Sequence, residues 1–118
     1  DALANYMDSL TFPARELPAD PAAVARGEAI FQSEEAACAS CHSDARLAGP
    51  GAFDVGTGLV AHVPGLIGLS FRAPYMHTGC AETIEARFQT WCGGDQHGSI
   101  AHLDEDGLGD LVTYLESL

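Results

Sequence analysis

The chain has 118 residues, 47% of them hydrophobic, with 17 Asp and Glu against 5 Lys and Arg and a formal net charge of −12. This length and composition indicate one compact folded domain rather than a disordered chain. The acidic balance argues against binding to nucleic acid or anionic membranes and favours a basic protein partner. No stretch approaches the run of about 18 apolar residues that a membrane span requires.

A short pattern occurs near both ends of the chain. LANYMDSL at residues 3–10 and LVTYLESL at residues 111–118 share the form L-x-x-Y-(M/L)-acid-S-L. Two similar amphipathic helices would explain this match, but internal repeats also mark repeated structural units. We therefore expect residues 1–15 to be the tail helix and linker of a preceding domain, and residues 16–118 to form one domain of a larger polypeptide.

The remaining elements are predicted to be helices. Asp20-Pro21 is a helix start, and Val24, Gly27 and Phe31 follow on one face. Residues 43–74 are rich in Gly and Pro, so little regular structure is expected there. A short helix is predicted over residues 84–91 with Thr83 as its cap, and a final helix begins near Asp104. No strand is predicted, and the fold class is therefore all-α.

The segment CASCH contains Cys38, Cys41 and His42. Cys-x-x-Cys-His is the attachment signal for c-type haem. Two thiols separated by two residues can each bond to one vinyl group of the haem, and the next residue, the histidine, can bind the iron. The sequence therefore predicts one covalently bound haem c, with His42 as the proximal ligand.

Two other sites use similar residues. A thioredoxin-like dithiol normally follows a strand, whereas a helix is predicted before Cys38. A zinc site would combine Cys38 and Cys41 with His97 and His102, but 55 residues separate the two pairs, far more than in a zinc finger. The haem interpretation is favoured, and zinc is the next alternative.

Several segments resemble a known family: ARGEAIFQ before CASCH, VPGLIGLSFRAPYMHTG and TIEARF after it, and DLVTYLESL at the end. Over residues 20–118 the chain is similar to class I cytochrome c domains, specifically the C-terminal haem domain of the dihaem cytochrome c peroxidase and MauG-like superfamily. The resemblance implies a cytochrome c-like fold wrapped around one haem, and export to the periplasm. It also implies a crossing of the N- and C-terminal helices, with Gly27 and Phe31 facing the residues Leu111, Tyr114 and Leu115.

The distal iron ligand remains open between two main candidates. The family places this ligand on the loop before the terminal helix, which favours His97 over Met76, although His/Met ligation is common in cytochromes c. In the peroxidase-like relatives a Met or Tyr ligand follows the third helix. The matching position here is near Trp91, which cannot bind iron, so the sequence departs from the family there. His62, His77 and His102 are weaker candidates.

The other two cysteines, Cys80 and Cys92, flank the predicted third helix. In one unbroken helix their Cα atoms would be roughly 18 Å apart, whereas a disulfide requires less than about 7 Å. A disulfide forms only if the chain doubles back, which the glycines after Cys92 allow. We expect the disulfide, with two free buried thiols as the alternative.

The predicted function is electron transfer through this haem, with His42 and His97 on the iron. The partner would be a basic redox protein or a second haem domain of the same polypeptide. The alternative is a haem peroxidase or oxygenase domain, which the superfamily also contains. No catalytic acid–base pair can be identified, and kinship of fold is weak evidence for activity.

Overall fold

A computed structural model describes residues 1–11 and 20–118. Three α-helices lie in these ranges: α1 (Ala2–Ser9), α2 (Pro21–Gln32) and α3 (Glu105–Ser117). The predicted domain boundary between residues 15 and 16 lies outside the described residues. Within the described parts of the chain, no helix combines the length and apolar character needed to cross a membrane.

Helices α2 and α3 begin where the capping residues predict. The Asp20 carboxylate accepts a hydrogen bond from the Ala22 amide at 3.0 Å, and Pro21 is the first helical residue. The Asp104 carboxylate accepts from the Gly107 amide at 2.8 Å. Each cap satisfies an amide that has no partner within the helix.

The core lies where α2 crosses α3, as predicted. Gly27 is at the crossing, where a β-carbon would overlap the Asp110 carbonyl and lie 2.6 Å from Tyr114 Cβ. The Phe31 ring lies 5.4 Å from the Tyr114 ring, centroid to centroid. The other buried core residues are Leu66, Ile84, Phe88, Leu111 and Leu115.

The predicted fold class, an all-α class I cytochrome c fold, is wrong because the domain contains a sheet. Strands β1 (Ala52–Asp54) and β2 (Val60–His62) pair antiparallel, with Phe53 opposite Ala61. The Asp54 carboxylate accepts hydrogen bonds at 3.0 Å from three successive amides of the turn, those of residues 56, 57 and 58. The turn residues that predicted irregular structure therefore connect two strands, and the domain is a small mixed one.

The predicted helix over residues 84–91 is also wrong. The chain forms two 3₁₀ turns, Glu85–Phe88 and Thr90–Cys92, separated by Gln89 in an extended conformation. Because the helix is broken, the chain doubles back and the Cα atoms of Cys80 and Cys92 lie 5.6 Å apart. The predicted Cys80–Cys92 disulfide is present.

Candidate functional site

The CASCH segment follows α2 after a tight turn. Ala37 has a positive φ of 56°, which directs the chain into the 3₁₀ turn Cys38–Ser40. The His42 amide donates to the Cys38 carbonyl at 3.1 Å, closing one turn of chain between the first cysteine and the histidine. Cys38 and Cys41 are free, half-buried thiols, and His42 is buried. Burial raises the pKa of the Cys38 thiol, and the positive charge of Arg87 partly opposes this increase.

The orientation of His42 is held by the backbone. Its Nδ1 lies 2.7 Å from the Leu47 carbonyl oxygen. Since a carbonyl oxygen only accepts, Nδ1 carries the proton and the lone pair is on Nε2. Burial lowers the pKa of His42, and hydrogen bonds with the Leu47 and Pro64 backbone partly offset this. This is the support that metal-binding histidines commonly have.

The structure brings the imidazole rings of His97 and His42 close together. The two ring centroids lie 6.2 Å apart and the ring planes are inclined by 30°. Burial, followed by the charge of Arg87, lowers the pKa of His97 to about 3, so the ring is neutral at physiological pH. Its Nδ1 is buried and has no hydrogen-bond partner among the described residues.

Arg87 binds the backbone of the loop that carries His97. Its guanidinium donates to the Gly94 carbonyl at 3.2 Å and to the His97 carbonyl, and it lies over the Phe88 ring at 4.1 Å from the centroid. Burial lowers the pKa of Arg87 to about 10, so the side chain stays positively charged at neutral pH. No carboxylate among the described residues forms an ion pair with it.

The loop that carries His97 is also held by hydrogen bonds of the exposed residue Asp95 and by contacts with the CASCH segment. The Asp95 carboxylate accepts from the amides of Ile100 at 2.5 Å and Ala101 at 2.9 Å, which closes the loop around His97. The Ser99 amide donates to the Ala36 carbonyl at 3.0 Å, next to the CASCH segment. The neighbouring Gly98 approaches this segment so closely that a β-carbon there would lie 3.5 Å from Cys38 Sγ. The loop is therefore docked directly on the cysteine segment.

The other predicted ligand candidates lie in different surroundings. Met76 borders the site, because a β-carbon on Gly93 would be 3.5 Å from the Met76 methyl carbon and 3.3 Å from His97 Cβ. His77 Nε2 lies 3.0 Å from the Thr57 hydroxyl. His62 is on β2 with Nδ1 3.2 Å from the Gly51 carbonyl.

The zinc alternative has no support in the geometry. His102 Nε2 lies 3.9 Å from a carboxylate oxygen of Glu35, outside hydrogen-bond distance. Among residues 1–11 and 20–118, no group of three or more Cys, His, Asp or Glu side chains is arranged to hold a metal ion. A haem iron differs in requiring only two ligands from the protein, because the porphyrin supplies the other four.

The residues present fit an iron porphyrin. An imidazole nitrogen binds a first-row metal at about 2.0–2.1 Å and the ring centroid lies about 1.1 Å further on, so two imidazoles on opposite sides of one ion have centroids about 6.2–6.4 Å apart. The observed separation of His42 and His97 is 6.2 Å. The unpartnered Nδ1 of His97 and the free thiols of Cys38 and Cys41 are further groups that a bound haem would explain.

Sequence reasoning missed two residues that shape this site. Arg87 lies in the segment EARF, between the apolar positions Ile84 and Phe88, and nothing in that spacing indicates an arginine that is half-buried beside the site. Asp95 lies in GGDQHGS, where an aspartate before a short loop is a signal for side-chain capping of backbone amides. That capping signal identifies Asp95 from the sequence.

No family model matches the chain, and no curated protein matches it. A solved structure of hydrazine synthase from Kuenenia stuttgartiensis, pressurised with 20 bar of xenon, superposes with a TM-score of 0.80 at 22% sequence identity. The superposition covers 99% of this chain and 54% of that one, so the chain spans about half the length of its structural neighbour. At this identity the likeness shows a shared fold.

Proposed function

We propose that this domain binds one haem c and transfers electrons through it. Cys38 and Cys41 form the thioether bonds, His42 is the proximal iron ligand and His97 the distal one. The observation that carries the proposal is the facing pair of histidine rings, 6.2 Å apart between centroids, beside two free cysteines in a Cys-x-x-Cys-His segment.

The bound haem would supply a one-electron couple at the iron. His42 and His97 would be the two protein ligands of the iron: the Leu47 carbonyl orients His42 through Nδ1, and Arg87 and Asp95 hold the loop that carries His97. Ligands that are already positioned by the protein need little rearrangement when the iron changes charge, which favours rapid electron transfer. Two imidazoles stabilise ferric iron better than one imidazole and a thioether, so we expect a low potential for a cytochrome.

The disulfide and the net charge support a proposed location and a proposed partner. The Cys80–Cys92 disulfide is of a type that persists in oxidising, exported compartments. We propose the periplasm, where the dihaem peroxidase and MauG-like proteins that the chain resembles are found. The net charge of −12 supports docking to a basic redox protein, with an attraction that weakens as salt increases.

We further propose that α1 is the last helix of a preceding domain. The shared octapeptide pattern buries Leu111, Tyr114 and Leu115 in α3, whereas the corresponding side chains of α1 are 57–67% exposed. Because the same pattern is buried in α3, we infer that the exposed apolar face of α1 packs against a preceding domain of a longer polypeptide. A longer polypeptide that includes the region before residue 1 tests this: the α1 amides should be protected from hydrogen exchange there and unprotected in residues 1–118.

The electronic spectrum and mass of the purified protein test the main proposal. We expect the mass of one covalently bound haem and a low-spin ferric spectrum without the far-red band of methionine ligation. His97→Ala should make the ferric iron high-spin, whereas Met76→Ala, the matched control, should leave the spectrum low-spin. A chain without covalent haem would refute the proposal, and a low-spin spectrum retained by His97→Ala but lost in Met76→Ala would replace His97 by Met76. Rapid turnover of peroxide would instead support the peroxidase alternative.

A further inference from the structure

Arg87 is a half-buried charged side chain that has no opposite charge beside it among the described residues. Its guanidinium is satisfied by two backbone carbonyl oxygens and by the face of the Phe88 ring, and no carboxylate among the described residues pairs with it. Buried charges in proteins are usually paired, because removing a charge from water is costly. A half-buried guanidinium beside the two histidines, with no carboxylate partner among the described residues, therefore calls for a functional explanation.

The hydrogen bonds of Arg87 show which segment it controls. Both carbonyls that it binds belong to the loop of His97, one of them to His97 itself. The planar guanidinium offers several N–H donors in a fixed geometry, which allows one side chain to hold both carbonyls at once. Lysine carries the same charge but lacks this geometry.

The charge of Arg87 also acts on the site over a longer range. Its guanidinium is hydrogen-bonded to the backbone carbonyl of His97, whose ring centroid lies 6.2 Å from that of His42, so the charge lies close to both histidines. In a partly buried environment such a field is screened less than it is in bulk water. Reduction of ferric iron by the partner adds one electron and no proton to the centre, and a nearby positive charge stabilises that added negative charge.

We propose that Arg87 is a positioning and tuning residue of the haem site, which holds the His97 loop through two carbonyl oxygens and raises the reduction potential of the iron through its positive charge. This inference rests on the proposed function. It adds to that function a residue that sets the potential from outside the ligand set. The two histidines alone give a low potential, and Arg87 offsets part of that effect.

Three variants in the haem-loaded protein separate the two roles. Arg87→Gln removes both the charge and the planar set of N–H donors that binds the two carbonyls. Arg87→Lys keeps the charge but lacks that planar set of donors. Arg46→Gln, the control, removes a charge of the same sign from a side chain that is 78% exposed. For Arg87→Gln we expect the ferrous-to-ferric ratio at a fixed applied potential to fall about tenfold, a shift of about 59 mV for one electron. For Arg87→Lys we expect a smaller shift but a larger high-spin fraction than in the original protein. For Arg46→Gln we expect both properties to be unchanged.

The measurements are a spectroelectrochemical titration and the ferric spin state at room temperature. Equal shifts in reduction potential for Arg87→Gln and Arg46→Gln would overturn the inference, because the position of Arg87 beside the histidines would then make no difference. A shift for Arg87→Lys as large as that for Arg87→Gln would also overturn it, since the charge would not be the cause. If Arg87→Gln does not acquire haem, Arg87→Lys is the remaining test. A reduction potential close to that of the original protein would support the charge as the cause, and one lowered by about 59 mV would overturn it. Unchanged values in haem-loaded variants overturn this inference only, whereas absence of covalent haem from the original protein overturns the proposed function as well.

Discussion

Gly27 and Tyr114 meet where α2 crosses α3, with Tyr114 Cβ 2.6 Å from the position that a β-carbon on residue 27 would take. Gly27→Ala should therefore force the helices apart, and we expect it to lower the free energy of unfolding by about 1–3 kcal/mol. Gly109→Ala is the matched control, because Gly109 is also in a helix but nothing lies within 4 Å of an added β-carbon. There the change should stabilise by up to about 1 kcal/mol. Chemical denaturation measures both, and equal effects would contradict the close approach.

The repeated octapeptide pattern offers a comparison of the same substitution in two environments. Leu111 in α3 is fully buried, whereas Leu3, at the same position of the pattern in α1, is 67% exposed. Leu111→Ala should lower the free energy of unfolding by about 2–5 kcal/mol because it leaves a cavity in the core. Leu3→Ala should change it by less than about 0.5 kcal/mol. A large effect of Leu3→Ala on residues 1–118 would mean that α1 packs on this domain.

The Cys80–Cys92 disulfide closes a short loop directly before the loop of His97. Replacing both cysteines by alanine should lower the free energy of unfolding by about 3 kcal/mol, because the open chain gains conformational freedom when it unfolds. Thermal unfolding with and without a reductant checks this. The reductant should lower the midpoint of the original protein and leave that of the double variant unchanged, and a response in both would point to another origin.

The Arg26–Asp110 ion pair links α2 to α3, with both guanidinium–carboxylate contacts at 2.6–2.8 Å. The hydrogen bond from Arg26 lowers the pKa of Asp110 below its usual range. Because the folded-state pKa is the lower one, the pair stabilises the fold above the ordinary Asp pKa of about 3.9, and this contribution is lost as the pH falls through the folded-state value. The difference in unfolding free energy between the original protein and Asp110→Asn should therefore shrink in acid. An equal difference at about pH 6 and about pH 2 would exclude this linkage.

The Asp95 carboxylate holds the amides of Ile100 and Ala101, which closes the loop around His97. Asp95→Ala should increase hydrogen exchange at these two amides by about tenfold, since they lose their acceptor. Asp95→Asn keeps one carbonyl oxygen and should have a smaller effect. Nuclear magnetic resonance measures the exchange residue by residue, and the α2 amides, which Asp95 does not contact, provide the internal reference.

Much of the helical framework could be predicted because it depends on local chemistry. Asp20, Pro21 and Asp104 determine where α2 and α3 begin, and the apolar spacing identifies the faces that meet at Gly27. The sheet and the broken third helix could not be predicted. They depend on the turn that Asp54 closes and on the extended conformation of Gln89, and both arise from contacts that apolar periodicity does not report.

By itself, the sequence determined the chemistry of this protein: a Cys-x-x-Cys-His segment, two further cysteines able to pair, and histidines among the candidate ligands. Only the tertiary structure decided which histidine faces His42 and which cation lies beside the pair. His97 is 55 residues from His42, and Arg87 is 45 residues away. A separation of that length along the chain leaves the distance in space undetermined until the disulfide, the Asp95 bonds and the helix crossing bring the loop onto the cysteine segment.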